Sequence, residues 1–224
     1  MWTGTPKHPT GGFEYELAHA LAKHFGLAHV KVRVIPFAKL VQGHLGDADL
    51  ALSDMTPTAE REQVLDFTGP YLAATPAALV RAGQSVPDLH AAQALTWAVG
   101  RSTTLLKFLN DTIQPSSSTL LTSSQHETTE AVERHKVDAG LLDLPIASAI
   151  ARASGGKLHV AGQFELNDDV AAALPSGSDN VDAVDTAIRR FEADGTLSDL
   201  AQRWLGLSVN GISDDQVPLI RTES

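Results

Sequence analysis

Cysteine is absent from the 224 residues of the chain. Disulfides, thiolate nucleophiles and metal sites built from cysteine are therefore excluded, while the redox compartment stays undetermined. Long apolar runs are also lacking, since no stretch approaches the roughly 20 uninterrupted apolar residues that a membrane-spanning helix needs. Met1-Trp2 is not followed by the basic segment and apolar run of a secretory signal. We therefore expect either a cytoplasmic protein or one whose leader has been removed.

Positive charge is scarce in this sequence. Lysine and arginine number 17 against 27 aspartates and glutamates, which gives a formal net charge of -10. Such a chain is not attracted nonspecifically to phosphate backbones or anionic lipid surfaces, so nucleic acid is not an expected partner. The nine histidines are scattered and lack the HExxH arrangement of a zinc-binding helix. We expect neither a metal ion nor a cofactor.

The first part of the chain alternates helical and strand patterns. An apolar residue recurs every four positions through FEYELAHALAKHF (13–25), and Gly26 follows where a helix would end. VKVRVI (30–35) alternates apolar and basic residues, which predicts a strand with one wetter face. AKLVQGHL (38–45) predicts a short helix, and DADLALS (47–53) a buried strand. This order predicts a largely parallel sheet with helices packed on it.

A second α/β pattern follows in the middle of the chain. Its predicted strands and helices are LTWAVG (95–100), STTLLKFLND (102–111), HETTEAVERHK (126–136), VDAGLLD (137–143) and LPIASAIARA (144–153). Further on, residues 181–206 predict two helices broken at Asp194-Gly195. The tail from Ser208 to Ser224 has only a weak pattern.

Two extended segments separate these α/β patterns, AALVRAG (77–83) and DDVAAALPSG (168–177). A chain that crosses twice predicts two lobes joined by two hinge strands. We expect residues 1–80 with 172–224 in the first lobe and residues 81–171 in the second. Clefts between lobes commonly bind small ligands, and paired hinges permit closure around them.

Five segments together resemble the signature blocks of the polar amino-acid solute-binding proteins of ABC importers. They occur in the family's order and cover most of residues 12–206. The resemblance implies the type II periplasmic binding protein fold, which ionotropic glutamate receptor ligand-binding domains share. It also implies a periplasmic or extracellular monomer that delivers an amino acid to the importer's membrane subunits. The segments are GFEYELAHALAKHFGL, GDADLALSDMTPTAEREQVLDFTGPY, AVGRSTTLLKFL, VDAGLLDLPIA and DGTLSDLAQRWLG.

The resemblance assigns the two charges of an amino acid to separate residues. Arg61 matches the arginine that forks onto the ligand carboxylate, with two parallel donors that lysine cannot reproduce. Ser102, Thr103 and Thr104 match a helix start whose N–H groups and hydroxyls favour an anion. Asp143 matches the carboxylate that accepts from the ligand ammonium. Without the resemblance, Arg61 could be a solvated helix residue, and Asp143, Thr103 and Thr104 could simply cap helices.

Four further positions match ligand contacts of the family. Thr56 matches a hydroxyl, Asp54 a backbone carbonyl that accepts from the ammonium, Phe37 an aromatic ring against the ligand side chain, and His8 an aromatic near the first strand. Phe37 could equally be core, and His8 a surface histidine. Asp54 stands where glycine or serine is common, and its carboxylate would favour a cationic amino acid if it reaches the ligand. Part of the hairpin that the family has before Gly12 is expected to be missing.

Two other functions remain open at this point. Cyclohexadienyl dehydratases resemble these binding proteins and use a carboxylate as acid or base, a role open to Asp54 or Asp143. The chain could also be the sensor domain of a larger protein, such as a membrane-bound lytic transglycosylase, whose GFEYEL segment is similar. No GxSxG or phosphate-loop pattern supports another enzyme class, and we expect a noncatalytic protein.

Overall fold

The computed structural model describes residues 2–5, 8–166, 168–206, 208 and 217–222. Its strands are β1 (Thr3–Thr5), β2 (His8–Gly11), β3 (Ala51–Met55), β4 (Leu65–Leu72), β5 (Pro76–Arg81), β6 (Trp97–Gly100), β7 (Leu120–Thr122), β8 (Ala139–Asp143), β9 (Leu158–Phe164), β10 (Val170–Pro175) and β11 (Leu219–Ile220). Its helices are α1 (Phe13–His24), α2 (Phe37–Leu40), α3 (Leu89–Ala94), α4 (Thr104–Phe108), α5 (Gln125–Glu133), α6 (Leu144–Ala153), α7 (Val181–Ala193) and α8 (Thr196–Trp204). A 3-10 helix (Arg61–Gln63) and a π-helical turn (Leu109–Ile113) complete the regular structure of the described residues.

The chain divides into two compact units. The boundaries fall between Ala73 and Ala74 and between Asp168 and Asp169, and the C-terminal residues 217–222 belong to the second unit. The predicted boundaries after residues 80 and 171 therefore differ, and placing this tail in the first lobe was wrong. The reason is strand pairing: β5 pairs along its length with β8 and β9, and β11 pairs with β9.

The first unit contains a three-stranded sheet in which a late strand lies between two early ones. The order is β3-β10-β4, and β10 is antiparallel to both neighbours. The predicted parallel sheet was wrong here, because the pattern of the first 60 residues holds no information about β10. The predicted helix is confirmed as α1, whose Phe13, Leu17 and Leu21 are at most 2% exposed.

The predicted strand at 30–35 is wrong, because residues 28–36 form no regular element. Its wetter face is nevertheless present: Lys31 and Arg33 are exposed and approach the Asp47 carboxylate at 4.0 and 2.5 Å. Val32 and Leu52 both line a groove of about 960 Å³ in this unit. A strand needs a hydrogen-bonded neighbour, and no backbone hydrogen bond joins residues 28–35 to the rest of the described chain.

The hairpin before α1 is more complete than expected. Strands β1 and β2 pair in antiparallel fashion, with Gly4 opposite Pro9. The Trp2 indole Nε1 donates to the Leu52 carbonyl at 3.0 Å and so ties this N-terminal segment to β3. The Trp204 ring lies against Gly11, where an added Cβ would come within 2.5 Å of it. Glycine is therefore required for α8 to pack this closely on β2.

The second unit contains a six-stranded mixed sheet, in the order β11-β9-β5-β8-β6-β7. Strand β5 runs antiparallel to β8 and β9, whereas β6 is parallel to β7 and β8. The predicted strands at 95–100 and 137–143 are confirmed as β6 and β8, and the predicted helices as α4, α5 and α6. Trp97, Phe108 and Phe164 pack together in the core of this unit.

The weakly patterned tail contributes to that core. Ile220 is 1% exposed and belongs to the same apolar cluster as Trp97. Gln163 binds the tail through both its backbone and its side chain. Its backbone N–H donates to Pro218 O at 2.9 Å, and its side-chain Nε2 donates to Val217 O at 3.0 Å. Gly162 leaves the space that Ile220 fills, since a Cβ there would lie 2.6 Å from Ile220 Cδ1.

We therefore expect Ile220→Ala to lower the free energy of unfolding by about 2–4 kcal/mol, through lost burial and the cavity that remains. Urea denaturation followed by circular dichroism measures this change. Leu219→Ala is the matched control, because the neighbouring side chain is only half-buried, and it should cost less than half as much. Equal effects of the two substitutions would contradict a structural role for the tail.

Candidate functional site

The first group of candidate residues belongs to the first unit and comprises Phe37, Asp54, Thr56 and Arg61. Arg61 opens the 3-10 helix and is only 7% exposed. Its Nη1 donates to the Thr56 carbonyl at 2.7 Å, and its backbone N–H donates to Thr58 Oγ1 at 3.2 Å. The alternative of a solvated helix residue is therefore wrong. Burying a guanidinium costs free energy unless hydrogen bonds and opposite charges compensate. The burial of Arg61 therefore indicates a specific structural or binding role.

Phe37 forms part of the support for Arg61. The guanidinium carbon lies 5.5 Å from the centroid of the Phe37 ring, within the range of a cation–π interaction. Phe37 is half-buried and also packs on an apolar cluster that contains Leu40 and Met55. The two interpretations of Phe37 are therefore compatible: the ring is partly core and partly a platform beside Arg61.

Asp54 has a backbone conformation that is unusual for its residue type. Its φ is 54°, in the left-handed region that favours glycine. The Asp54 N–H donates to Glu14 Oε1 at 2.7 Å, and the Tyr71 hydroxyl donates to the same oxygen at 2.6 Å. Burial, and then the negative charge of Glu14, raise the pKa of Tyr71 well above its usual range. Tyr71 therefore keeps its proton and remains a hydrogen-bond donor at neutral pH.

Sequence reasoning did not single out Glu14, although its position on the helix contained a signal. Residues 14, 17 and 21 follow the spacing of one helical face, and Leu17 and Leu21 are apolar. A carboxylate at the first of these three positions is predicted to be buried with the other two, and Glu14 is 0% exposed. A buried acid on an apolar helix face requires partners elsewhere in the fold.

The second group of candidate residues lies at the start of α4. Thr103 is the N-cap of this helix: its Oγ1 accepts from the Leu106 N–H at 3.2 Å and donates to Gly100 O at 2.7 Å. The capping interpretation therefore holds for this hydroxyl. Ser102 has a φ of 65° and is exposed. The turn before α4 is thus held in place by Thr103, while Ser102 adopts the strained conformation.

Thr104 has a different partner from Thr103. Its Oγ1 donates to Asp168 Oδ2 at 2.5 Å, and Asp168 is 4% exposed. The Asp168 N–H donates to Ala74 O at 3.0 Å. These two residues are the last and the first of the segment 74–168, which forms most of the second unit. Sequence reasoning missed Asp168, because nothing in the spacing of 104 and 168 indicates contact.

Asp143 ends β8 and stands at the N-cap position of α6, two residues before Pro145. Its side chain makes no capping hydrogen bond to that helix. The interpretation of Asp143 as a helix cap is therefore wrong. A carboxylate at the end of a strand and the start of a helix is well placed to bind a charged group.

His8 begins β2 and is exposed. Its backbone N–H donates to Thr5 Oγ1 at 3.2 Å, which closes the hairpin. Among the described residues, no hydrogen bond of His8 to Asp54, Thr56 or Arg61 is seen. A surface histidine is the simpler interpretation of this residue.

The described residues contain no group of three or more histidine and acidic side chains placed to hold a metal ion. They also contain no helix long and apolar enough to cross a membrane. The charged candidates are Arg61 for an anionic group, and Asp54 and Asp143 for a cationic one. Arg61 and Asp54 belong to the first unit, and Asp143 belongs to the second.

This fold is that of the type II periplasmic binding proteins. The arginine-, lysine-, histidine-binding protein ArtJ of Geobacillus stearothermophilus superposes on the chain with a TM-score of 0.78 at 22% identity, covering 96% of this chain and 93% of ArtJ. The family model of the bacterial extracellular solute-binding proteins, family 3, matches residues 3–207. The chain belongs to that family, which confirms the resemblance that the sequence blocks indicated.

Two curated relatives are similar over most of this chain. The L-cystine-binding protein TcyJ of Escherichia coli K12 is 27% identical over an alignment of 205 residues, and the match covers 88% of this chain and 75% of TcyJ. The membrane-bound lytic murein transglycosylase F of Ectopseudomonas mendocina is 29% identical over an alignment of 211 residues, and the match covers 87% of this chain but only 42% of that enzyme. The relatives thus include both a binding protein that this chain covers to 75% and a longer enzyme that it covers to 42%.

The left-handed backbone at Asp54 leads to a stability prediction. Glycine adopts this conformation without a steric penalty, whereas alanine has a Cβ that clashes with the backbone. We expect Asp54→Ala to be less stable than Asp54→Gly by about 1 kcal/mol. Urea denaturation of the two variants measures the difference, and the pair is matched because both remove the carboxylate. Equal stability would contradict the left-handed conformation.

Proposed function

We propose that this protein binds a free amino acid reversibly, outside the cytoplasm, and presents it to the membrane subunits of an ABC importer. In this proposal the protein catalyses no reaction and acts as a monomer. The observation that carries it is the buried Arg61 in the block that matches the family's carboxylate-binding arginine. Membership in the extracellular solute-binding family supports the location and the importer.

The surroundings of Arg61 support a role in carboxylate binding. The Thr56 carbonyl accepts from Nη1, and the Phe37 ring lies beside the guanidinium. These two contacts fix the plane of a side chain that has five donors in total. A guanidinium held in one plane can donate two parallel hydrogen bonds to a carboxylate with little further loss of side-chain entropy. We assign the α-carboxylate of the ligand to Arg61.

The acidic candidates support binding of the ammonium group. We assign the ammonium to the Asp143 carboxylate and to the backbone carbonyl of Asp54, with Thr56, Ser102, Thr103 and Thr104 as further polar contacts. Asp143 does not cap α6, and Thr104 is oriented by the buried Asp168. An acidic side chain at Asp54, where glycine or serine is common, favours a polar or cationic amino acid over an acidic one.

Isothermal titration against the common amino acids tests this function. We expect one of them to bind at micromolar concentration, and Arg61→Lys to weaken that binding about 30-fold or more, because lysine loses the bidentate geometry. Arg152→Lys is the matched control, since Arg152 is exposed on α6, and it should leave affinity unchanged. Absence of binding by the wild-type protein, or equal affinity of Arg61→Lys, would refute the proposal.

The ligand class is tested at Asp54. Asparagine tolerates the left-handed backbone and has nearly the same shape, so Asp54→Asn removes the charge with the least disturbance. We expect this variant to lose about tenfold in its preference for arginine over glutamine, which corresponds to one modest charge interaction. The ratio of the two dissociation constants measures this preference. A ratio unchanged from the wild-type protein would show that the Asp54 carboxylate does not select the ligand.

A second candidate is a sensor domain of a longer protein. The similarity to lytic transglycosylase F favours it, because the match covers 87% of this chain and 42% of that enzyme. Both candidates require ligand binding, so titration does not separate them. The sequence of the complete gene does: an adjoining transglycosylase domain would favour the sensor, and neighbouring genes for importer subunits the transport protein.

A further inference from the structure

Glu14 is a fully buried acidic residue that the proposed ligand contacts do not include. It is the second residue of α1, and it is 0% exposed. One of its oxygens, Oε1, accepts two hydrogen bonds, from the Tyr71 hydroxyl on β4 and from the Asp54 N–H on β3. A single carboxylate therefore joins one helix to two strands that are not adjacent in their sheet.

Glu14 lies in the first turn of α1. The first turn of an α-helix has backbone N–H groups without helical partners, and the helix dipole is positive there. Hydrogen bonds to an ionised acceptor are shorter and stronger than neutral ones, and both bonds to Oε1 are short, at 2.6 and 2.7 Å. The charge of Glu14 also contributes to the raised pKa of Tyr71, after burial.

The bond from Asp54 to Glu14 acts on a strained residue. The φ of 54° at Asp54 is costly for any residue with a Cβ, and such conformations persist only where the surrounding structure imposes them. The Asp54 N–H belongs to the peptide group that precedes this φ. Fixing that N–H from α1 holds the plane of this peptide group, which opposes the concerted rotation about ψ of Ser53 and φ of Asp54 that would take Asp54 out of the left-handed region.

The same restriction extends along the chain to Arg61. Two residues after Asp54, the Thr56 carbonyl accepts from Arg61 Nη1 at 2.7 Å. A rotation at Asp54 would displace this carbonyl and hence the guanidinium that it orients. Glu14 is thus linked to Arg61 through Asp54 and Thr56, although no hydrogen bond between Glu14 and Arg61 is seen among the described residues.

We propose that Glu14 is a positioning residue of the amino-acid site, which sets ligand affinity by holding the left-handed backbone of Asp54. This inference rests on the proposed function. Glu14 does not touch the ligand. The competing explanation is that Glu14 only stabilises the fold by joining α1, β3 and β4.

A double-mutant cycle separates the two explanations. Glycine at position 54 adopts a positive φ without strain, so Asp54→Gly removes the need for a holding bond. We expect Glu14→Ala to weaken amino-acid binding about tenfold or more in the wild-type background, but about threefold or less in the Asp54→Gly background. Titration calorimetry of the four proteins measures these factors. The same factor in both backgrounds would overturn the positioning role.

Glu14→Gln serves as the conservative variant and keeps the test valid if Glu14→Ala does not fold. The amide carbonyl can still accept from Asp54, though without a charge, so the loss of affinity should be smaller than for alanine and again about threefold or less in the Asp54→Gly background. Urea denaturation of each variant reports the stability separately. A loss of stability without any loss of affinity would leave only the structural role.

A measurement without ligand tests the position of Glu14 Oε1, the oxygen that accepts from both the Tyr71 hydroxyl and the Asp54 N–H. The chain has two tyrosines, so Tyr15→Phe leaves Tyr71 as the sole phenol in an ultraviolet titration. Glu14→Gln should lower the pKa of Tyr71 by removing the neighbouring negative charge, while burial still keeps it above the usual value. An unchanged titration would overturn the inference on its own. A shifted titration with no amino acid bound by the wild-type protein would instead refute the proposed function, and the positioning role with it.

Discussion

The insertion of β10 between β3 and β4 is the constraint on which the first unit depends. It brings residues 170–175 into register with strands that lie about a hundred positions earlier, with Ala171 opposite both Met55 and Pro70. Thr68 adds to this register, because its Oγ1 accepts from the Ala172 N–H at 3.2 Å. Strand β3, which includes Asp54, is therefore fixed on one edge by β10, and the residues that follow it from Thr56 onward leave the sheet at a defined place.

Local patterns predicted the helices well, because a helix satisfies its backbone within one segment. The apolar spacing from Phe13 to Phe25 and the hydroxyl residues before α4 each correspond to an observed helix. Strands depend on distant partners, and the strand predictions were wrong in two ways: one strand was predicted where none forms, and others were missed. VKVRVI has a strand pattern but no strand neighbour, whereas β4 and β9 were not predicted although both pair along most of their length.

The candidate site could be predicted only as far as the family blocks extend. Arg61 was identified by its block, and the structure adds that it is buried and oriented by Thr56. Asp168 and Glu14 were not identified, although Glu14 lies within the first block, because each acts through a residue distant in sequence, Thr104 in one case and Asp54 in the other. Supporting residues of this kind are selected by geometry and have no fixed spacing from the residues that they hold.

The acidic residue at position 54 places charge and strain at one point in the chain. A glycine there would adopt the left-handed backbone freely but would provide no carboxylate for a cationic ligand. An aspartate provides the charge and requires a conformation that few side chains tolerate. The buried carboxylate of Glu14 compensates through its bond to the Asp54 N–H. The hydrogen bond between Glu14 and Asp54 thus explains how a charged side chain can occupy a position that backbone geometry alone would assign to glycine.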